Sequence, residues 1–231
     1  MRKGLAPYAP LVDGLQRIAG SEPLWVRDVT VSNSTWGNRL LQLFGPRDGV
    51  HALGGGIGQG IQQALGAALA APARKTLCIT GDGGLQVNLG ELATLVQERA
   101  NVVVIVMNDG GYGVIRNIQD AIYGSRRVYT ELHNPDFELF ARSLKLSYRK
   151  VSKASDMAAT LKAATVGRTD RIRCRAGGRL AMDILTVRLR RAAMAKIRGN
   201  CGVEKTFLSI LWTVRGHDSE MIVDRDDLAV D

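Results

Sequence analysis

"ITGDGGLQVNLGELATL", Ile79 to Leu95, and "VVVIVMNDGGYGVI", Val102 to Ile115, decide the fold. Each starts as a short apolar run, reaches glycine and an acid, and continues at helical spacing. In the first, Leu85, Leu89, Leu92, Leu95 and Val96 recur every three or four positions, as on the buried face of a helix. In the second, an unbroken β-branched run suits a strand covered on both faces, as in a parallel sheet. Asp82 and Asp109 then fall at the carboxyl ends of consecutive strands. Ligands of open α/β sheets bind there, beside helix N-termini whose free N–H groups attract anions. Two carboxylates in such a place make sense if a hard cation sits between them and a phosphate, because Mg²⁺ commonly combines one or two carboxylates with phosphate oxygens. Gly81, Gly83, Gly84, Gly110 and Gly111 would let backbone approach the ligand. Taken singly, each Asp-Gly pair reads first as a turn or a helix N-cap, and it is the two together, at their spacing, that point to a site.

The flanking sequence continues the alternation. After an opening loop, "LWVRDVTV" (24–31) reads as a strand, and "GIQQALGAALA" (60–70) as a helix with Ile61, Leu65, Ala68 and Leu69 on one face. "KTLCIT" (75–80) is a strand and "YGVIRNIQDAIYG" (112–124) a helix. "NPDFELFARSLKL" (134–146) offers Asn134 as N-cap and Pro135 at the first helical position, and "SYRKV" and "ASDMAATLKAAT" supply one more strand and helix. The expected fold class is α/β, a doubly wound parallel sheet.

A second glycine cluster, "ALGGGIGQGIQQ" (52–63), does not satisfy G-x-G-x-x-G, since Gln59 and Ile61 stand where the last glycine is needed, and no G-K-[ST] exists for a P-loop. Dinucleotide and ATP sites are therefore disfavoured. His51 beside the cluster reads as a surface or packing residue.

Together, "GDGGLQVNLGELATL" and "MNDGGYGVI" resemble the pyrophosphate-binding signature of thiamine diphosphate enzymes. "GGIGQGIQQALGAALA" resembles the glycine segment that precedes that signature in the acetolactate synthase group, and "RDVTVSNSTWGNRLL" the loop bearing on the cofactor's aminopyrimidine. The resemblance covers roughly residues 5–160. It implies thiamine diphosphate and Mg²⁺ as cofactors, with Asp82, Asp109 and the carbonyl of Gly111 as metal ligands. Gly83 and Gly84 would contact the diphosphate, with Gly110 and Tyr112 from the second motif beside it. Ser32 and Asn33 would lie near the pyrimidine, and Gly55 and Gly56 would line the pocket. Ile57 matches the bulky apolar residue that holds the cofactor bent, the catalytic contribution assigned to this chain. Most relatives have asparagine where this chain has Asp109, which adds a negative charge near the diphosphate.

The activity implied is decarboxylation or carboligation of 2-oxo acids. In the family a glutamate that bonds the pyrimidine comes from a separate domain of a neighbouring subunit, and that domain is not expected in this chain. The implied partners are a 2-oxo acid substrate and a pyrimidine-binding domain, on another chain or in a homo-oligomer. The other readings are a truncated, catalytically inactive remnant and, from a different class, a nucleic-acid-binding protein.

The last of these rests on the net charge of +9. Residues 1–165 carry 18 basic and 13 acidic side chains, whereas 168–198 carry 10 and 2. The excess is thus local, without aromatic interleaving for base stacking, and nucleic acid is disfavoured as a partner. The break sets the expected organisation: a thiamine pyrophosphate-binding domain over 1–165, then an atypical arginine-rich tail over 166–231, frameshifted or disordered, that does not supply the sheet's remaining strand. "TFLSILWTV" (206–214) is an isolated apolar segment within it. Cys78, Cys174 and Cys201, odd in number and widely spaced, suggest neither disulfides nor a zinc site and fit a reducing cytoplasm. No apolar run reaches transmembrane length.

Overall fold

The computed structural model describes residues 9–22, 24–152, 156–166 and 183–187. Six strands form one parallel sheet: β1 (Leu24–Arg27), β2 (Gly49–His51), β3 (Thr76–Gly81), β4 (Val102–Met107), β5 (Ser147–Val151) and β6 (Asp183–Val187), in the order β2-β1-β3-β4-β6-β5. The chain moves from β1 to its neighbour β2 and then crosses to β3 on the other side. The order therefore reverses between β1 and β3, the crevice in which open α/β sheets hold ligands.

Eight helices accompany the strands among the described residues: α1 (Ala9–Ala19), α2 (Asn38–Leu40), α3 (Gly60–Ala70), α4 (Asp82–Val87), α5 (Glu91–Gln97), α6 (Gly113–Ile122), α7 (Phe137–Ser143) and α8 (Met157–Val166). The period-2 pattern of the central strands divides the core in two. Leu77, Ile79, Val103, Ile105 and Met107 pack with Leu11 and Leu15 of α1, Leu161 of α8, Trp25 and Trp36. Cys78, Val102, Val104 and Val106 face the other way, onto Ile61 and Ala64 of α3, Leu92 and Leu95 of α5, and Phe137 and Ala141 of α7. Each large aliphatic side chain buried this way contributes roughly 1.5–3 kcal/mol. A one-residue slip of β3 on β4 would exchange these faces, so the pairing of Gly81 with Met107 is strongly specified. That register brings Asp82, and the Asn108–Asp109 pair, out of the sheet side by side.

Several expectations are corrected. The opening segment is a helix, α1, because Leu11, Val12 and Leu15 supply a buried face that packs against α8. The strand at 24–31 stops at Arg27, where Asp28 turns the chain toward a π-helical turn at Asn33–Gly37. Helix α3 buries Ile61, Ala64 and Ala68, while Leu69 is 51% exposed, since its position lies on the far side of the turn. The helix expected after Asp82 is two, α4 and α5, interrupted at Asn88–Gly90. Asp136, not Asn134, caps α7: its carboxylate accepts from Glu138 N and Leu139 N at 2.9 and 3.0 Å.

The expectation that residues after 165 add no strand is also overturned. Asp183–Val187 pairs in parallel with both β4 and β5 and fills the place between them. The arginine run at 168–179 precedes this strand rather than forming it, and "DILTV" has the β-branched and aliphatic content that a sheet favours. Cys174, Cys201 and the 206–214 segment lie outside the described residues. No described helix is long and apolar enough to cross a membrane.

Candidate functional site

The carboxyl ends of β1, β3 and β4 converge on three aspartates. Asp82, 1% exposed, is the first residue after β3. Its Oδ2 accepts from Gly111 N at 3.1 Å and from the side-chain amide of Asn134 at 2.7 Å. Asn134 also donates to Asn108 Oδ1 at 3.0 Å, and its own Oδ1 accepts from Gln86 Nε2. Both of these bonds fall on the same oxygen of Asp82.

Asp109, two residues beyond β4, is tied to Arg116 of α6, whose Nη2 lies 2.6 Å from Oδ2 and 3.2 Å from the Asp109 carbonyl. Burial raises the Asp109 carboxyl to about 6; Arg116 opposes the rise and Asp82 reinforces it. The two carboxylates therefore sense one another across the ends of adjacent strands, as expected from their positions in the sequence. Among the described residues no group of three or more His, Cys, Asp or Glu side chains gathers as a metal site. The Gly111 carbonyl, the third ligand expected from the resemblance, accepts from Gly113 N at 3.0 Å.

The third aspartate was not singled out by the sequence. Asp28, 2% exposed at the end of β1, accepts from Gly58 N at 3.2 and 3.1 Å, from Thr80 Oγ1 at 3.0 Å and from Val29 N at 2.8 Å. It pins the glycine loop to the end of β3. A Cβ at Gly84 would stand 2.8 Å from Asp28 Oδ2, so glycine there makes room for the pin. Gly58 has φ +86°, and a Cβ would meet Val87 at 2.7 Å. Gln59 closes the same loop, donating to the carbonyls of Leu53 and Gly56 at 2.8 and 3.0 Å and accepting from Leu53 N at 3.0 Å. Gly55, Gly56 and Ile57 are exposed on it, Ile57 at 37%.

Other residues named from the sequence take different places. The ring of Tyr112 packs on Gly83, where a Cβ would come within 2.8 Å of it. Gly110 has φ +72° and its N–H donates to Asn108 Oδ1 at 3.2 Å. Ser32 and Asn33 are both buried. The amide of Asn33 donates to the carbonyls of Asp28 and Ile79 at 2.6 and 3.0 Å, so it braces the ends of β1 and β3. His51 is exposed, as a surface role requires, and contacts Arg27 through Nε2.

Asn134 and Arg116 went unrecognised for different reasons. Asn134 precedes Pro135 and Asp136, and either polar residue could cap a helix; the acid followed at once by Phe137 was the better cap. Arg116 is the sole described buried residue of α6, an anomaly visible only with the helix in place.

Comparison with known proteins agrees with this geometry. The family described as "Thiamine pyrophosphate enzyme, C-terminal TPP binding domain" matches residues 30–173. The chain is 39% identical over 100 residues to the acetolactate synthase large subunit of Haemophilus influenzae, covering 42% of this chain and 18% of that protein. It is 34% identical over 128 residues to the acetolactate synthase large subunit of Parasynechococcus marenigrum, 52% of this chain and 21% of the relative. With a probable acetolactate synthase large subunit of Methanococcus aeolicus the identity is 31% over 134 residues, 57% and 22%. The matched region thus spans about a fifth of the length of these relatives. With 144 of its 231 residues inside the family match (173 − 30 + 1), the chain belongs to the C-terminal TPP-binding domain family of thiamine pyrophosphate enzymes.

Proposed function

We propose that this chain is the diphosphate- and Mg²⁺-binding part of an acetolactate synthase-like enzyme that decarboxylates or carboligates 2-oxo acids, active with a partner carrying a pyrimidine-binding domain. Thiamine diphosphate is the cofactor that the family implies. The observation that carries the reading is the emergence of Asp82 and Asp109 from adjacent strands, with Gly111 N bonded to Asp82 at 3.1 Å. The donor set is all oxygen, which fits a hard divalent cation.

In this reading Asp82, Asp109 and the Gly111 carbonyl hold Mg²⁺, and Gly83 and Gly84 lie along the diphosphate. Bound thiamine diphosphate supplies an electron sink for making or breaking a carbon–carbon bond beside a carbonyl. The chain's own residues position and support. Asn134 orients Asp82, Asp28 anchors the glycine loop, and Ile57 presents an apolar side chain to the cofactor from that loop. The relatives' far greater length supports a requirement for further domains. The wide spacing of the three cysteines supports a reducing compartment, the cytoplasm.

Calorimetric titration of the chain with thiamine diphosphate and Mg²⁺, with and without a chain bearing the pyrimidine-binding domain, tests the proposal. Mg²⁺-dependent binding that tightens with the partner is expected. Absence of binding in both titrations would sink it.

A further inference from the structure

We propose that Arg116 sets the charge of the Asp82–Asp109 pair, neutralising Asp109 so that a site with two carboxylates accepts a diphosphate together with its divalent cation. This rests on the function proposed above. Arg116 is 8% exposed and stands in the first turn of α6, directly after the 109–111 loop. Its Nη2 holds Asp109 Oδ2 at 2.6 Å, and its Nη1 lies 3.2 and 3.3 Å from the two carboxylate oxygens of Glu131. The two acids are not equivalent partners. The Glu131 side chain is 55% exposed and that of Asp109 24%, so water screens the charge of Glu131 more than that of Asp109.

The charge count gives the reason. A bare divalent cation is attracted by every carboxylate near it, and a second full charge on Asp109 would hold it more tightly. A diphosphate brings several anionic oxygens to the same place, and each uncompensated carboxylate repels them. Arg116 cancels Asp109 for the diphosphate while Asp109 keeps its second oxygen for the metal. Its removal should therefore move the two affinities in opposite directions. Loss of a purely architectural residue would weaken both.

The test uses the full 231-residue chain. Titrations of the parent, Arg116→Met, Asp109→Asn and the double variant are run at about pH 9, well above the Asp109 value of about 6, so that its carboxylate is ionised with or without the guanidinium; each is done with Mg²⁺ alone, and with thiamine diphosphate or inorganic pyrophosphate at fixed Mg²⁺. In Arg116→Met, Mg²⁺ alone should bind about tenfold more tightly and thiamine diphosphate about tenfold more weakly, one charge at close range in a partly shielded site being worth that much. The double variant should return diphosphate binding to near the parent value. If Arg116→Met keeps the parent's circular dichroism and melting yet both affinities fall, or neither moves, the proposal is overturned. Should that variant not fold, Asp109→Asn decides: weaker Mg²⁺ binding with undiminished diphosphate binding supports charge compensation, and equal loss of both overturns it. A parent that binds Mg²⁺ and pyrophosphate but not thiamine diphosphate would remove the proposed function, while the opposed shifts remain measurable with those two probes. A parent that binds neither Mg²⁺ nor a diphosphate overturns both.

Discussion

Asn134 donates its side-chain amide to Asp82 Oδ2 at 2.7 Å, joining residues 52 apart in the chain at the mouth of the sheet. The same amide bonds Asn108 Oδ1, so it bridges the segments that follow β3 and β4. Partners of a metal-ligating side chain orient it, and their loss typically costs 10–100-fold in metal affinity. Asn134→Ala should therefore weaken Mg²⁺ binding by about tenfold with the fold retained. Calorimetry with Mg²⁺ checks this; an unchanged affinity would show that Asp82 needs no such support.

Removing Asp82 itself has a larger consequence. It is buried, and in the proposed site it contributes one of two carboxylates facing the cation. Asp82→Ala should abolish Mg²⁺-dependent binding of thiamine diphosphate while circular dichroism stays that of the parent. A variant that binds as well as its parent would refute the metal assignment.

The isolated chain should not turn over pyruvate or benzoylformate. In the proposed enzyme the pyrimidine-binding domain supplies the glutamate and closes the site against water, and neither is provided by the residues described here. Steady-state assays of rigorously purified protein provide the check. Turnover that disappears in Asp82→Ala would contradict the requirement for a partner.

His51 gives a pH dependence whose sign follows from its surroundings. Desolvation, then the nearby Arg27 guanidinium, lowers its pKa below the ordinary 6.5. A base with a depressed folded pKa contributes stability that is present above 6.5 and lost as pH falls through the folded value. The parent's melting temperature should accordingly fall more steeply than that of His51→Gln as pH drops from 7 toward 5. Parallel melting curves for the two proteins across that range would show that His51 is not linked to folding.

Asp136 closes the N-terminus of α7 with two hydrogen bonds from its carboxylate. Asp136→Ala should cost about 1 kcal/mol of stability, and Asp136→Asn much less, because the amide oxygen can still accept. Chemical denaturation of the three proteins checks this. Equal losses from both substitutions would mean that charge, not capping, is what matters there.

The central strands were legible because their code is local. A run such as Val102–Met107 has no polar face to offer water, and only a sheet covered on both sides satisfies it. The carboxyl-end placement of Asp82 and Asp109 followed from that alone, as did helix α3 from its spacing. What lay outside the sequence's reach depends on pairs far apart in the chain. Asp28 meets Gly58 and Thr80, 30 and 52 residues away, because β1 lies beside β3 in the sheet. Asn134 reaches Asp82 because of where the loop before α7 crosses the ends of the strands. The position of β6 between β4 and β5 follows the same rule. Four of its five residues, Ile184 to Val187, are aliphatic or β-branched, but a strand that short is outweighed locally by the arginines around it, and pairing with two neighbours settles the matter. Sequence determined which residues prefer strand or helix and which acids stand at strand ends. The sheet order, by setting which ends are adjacent, decided which of those acids come together.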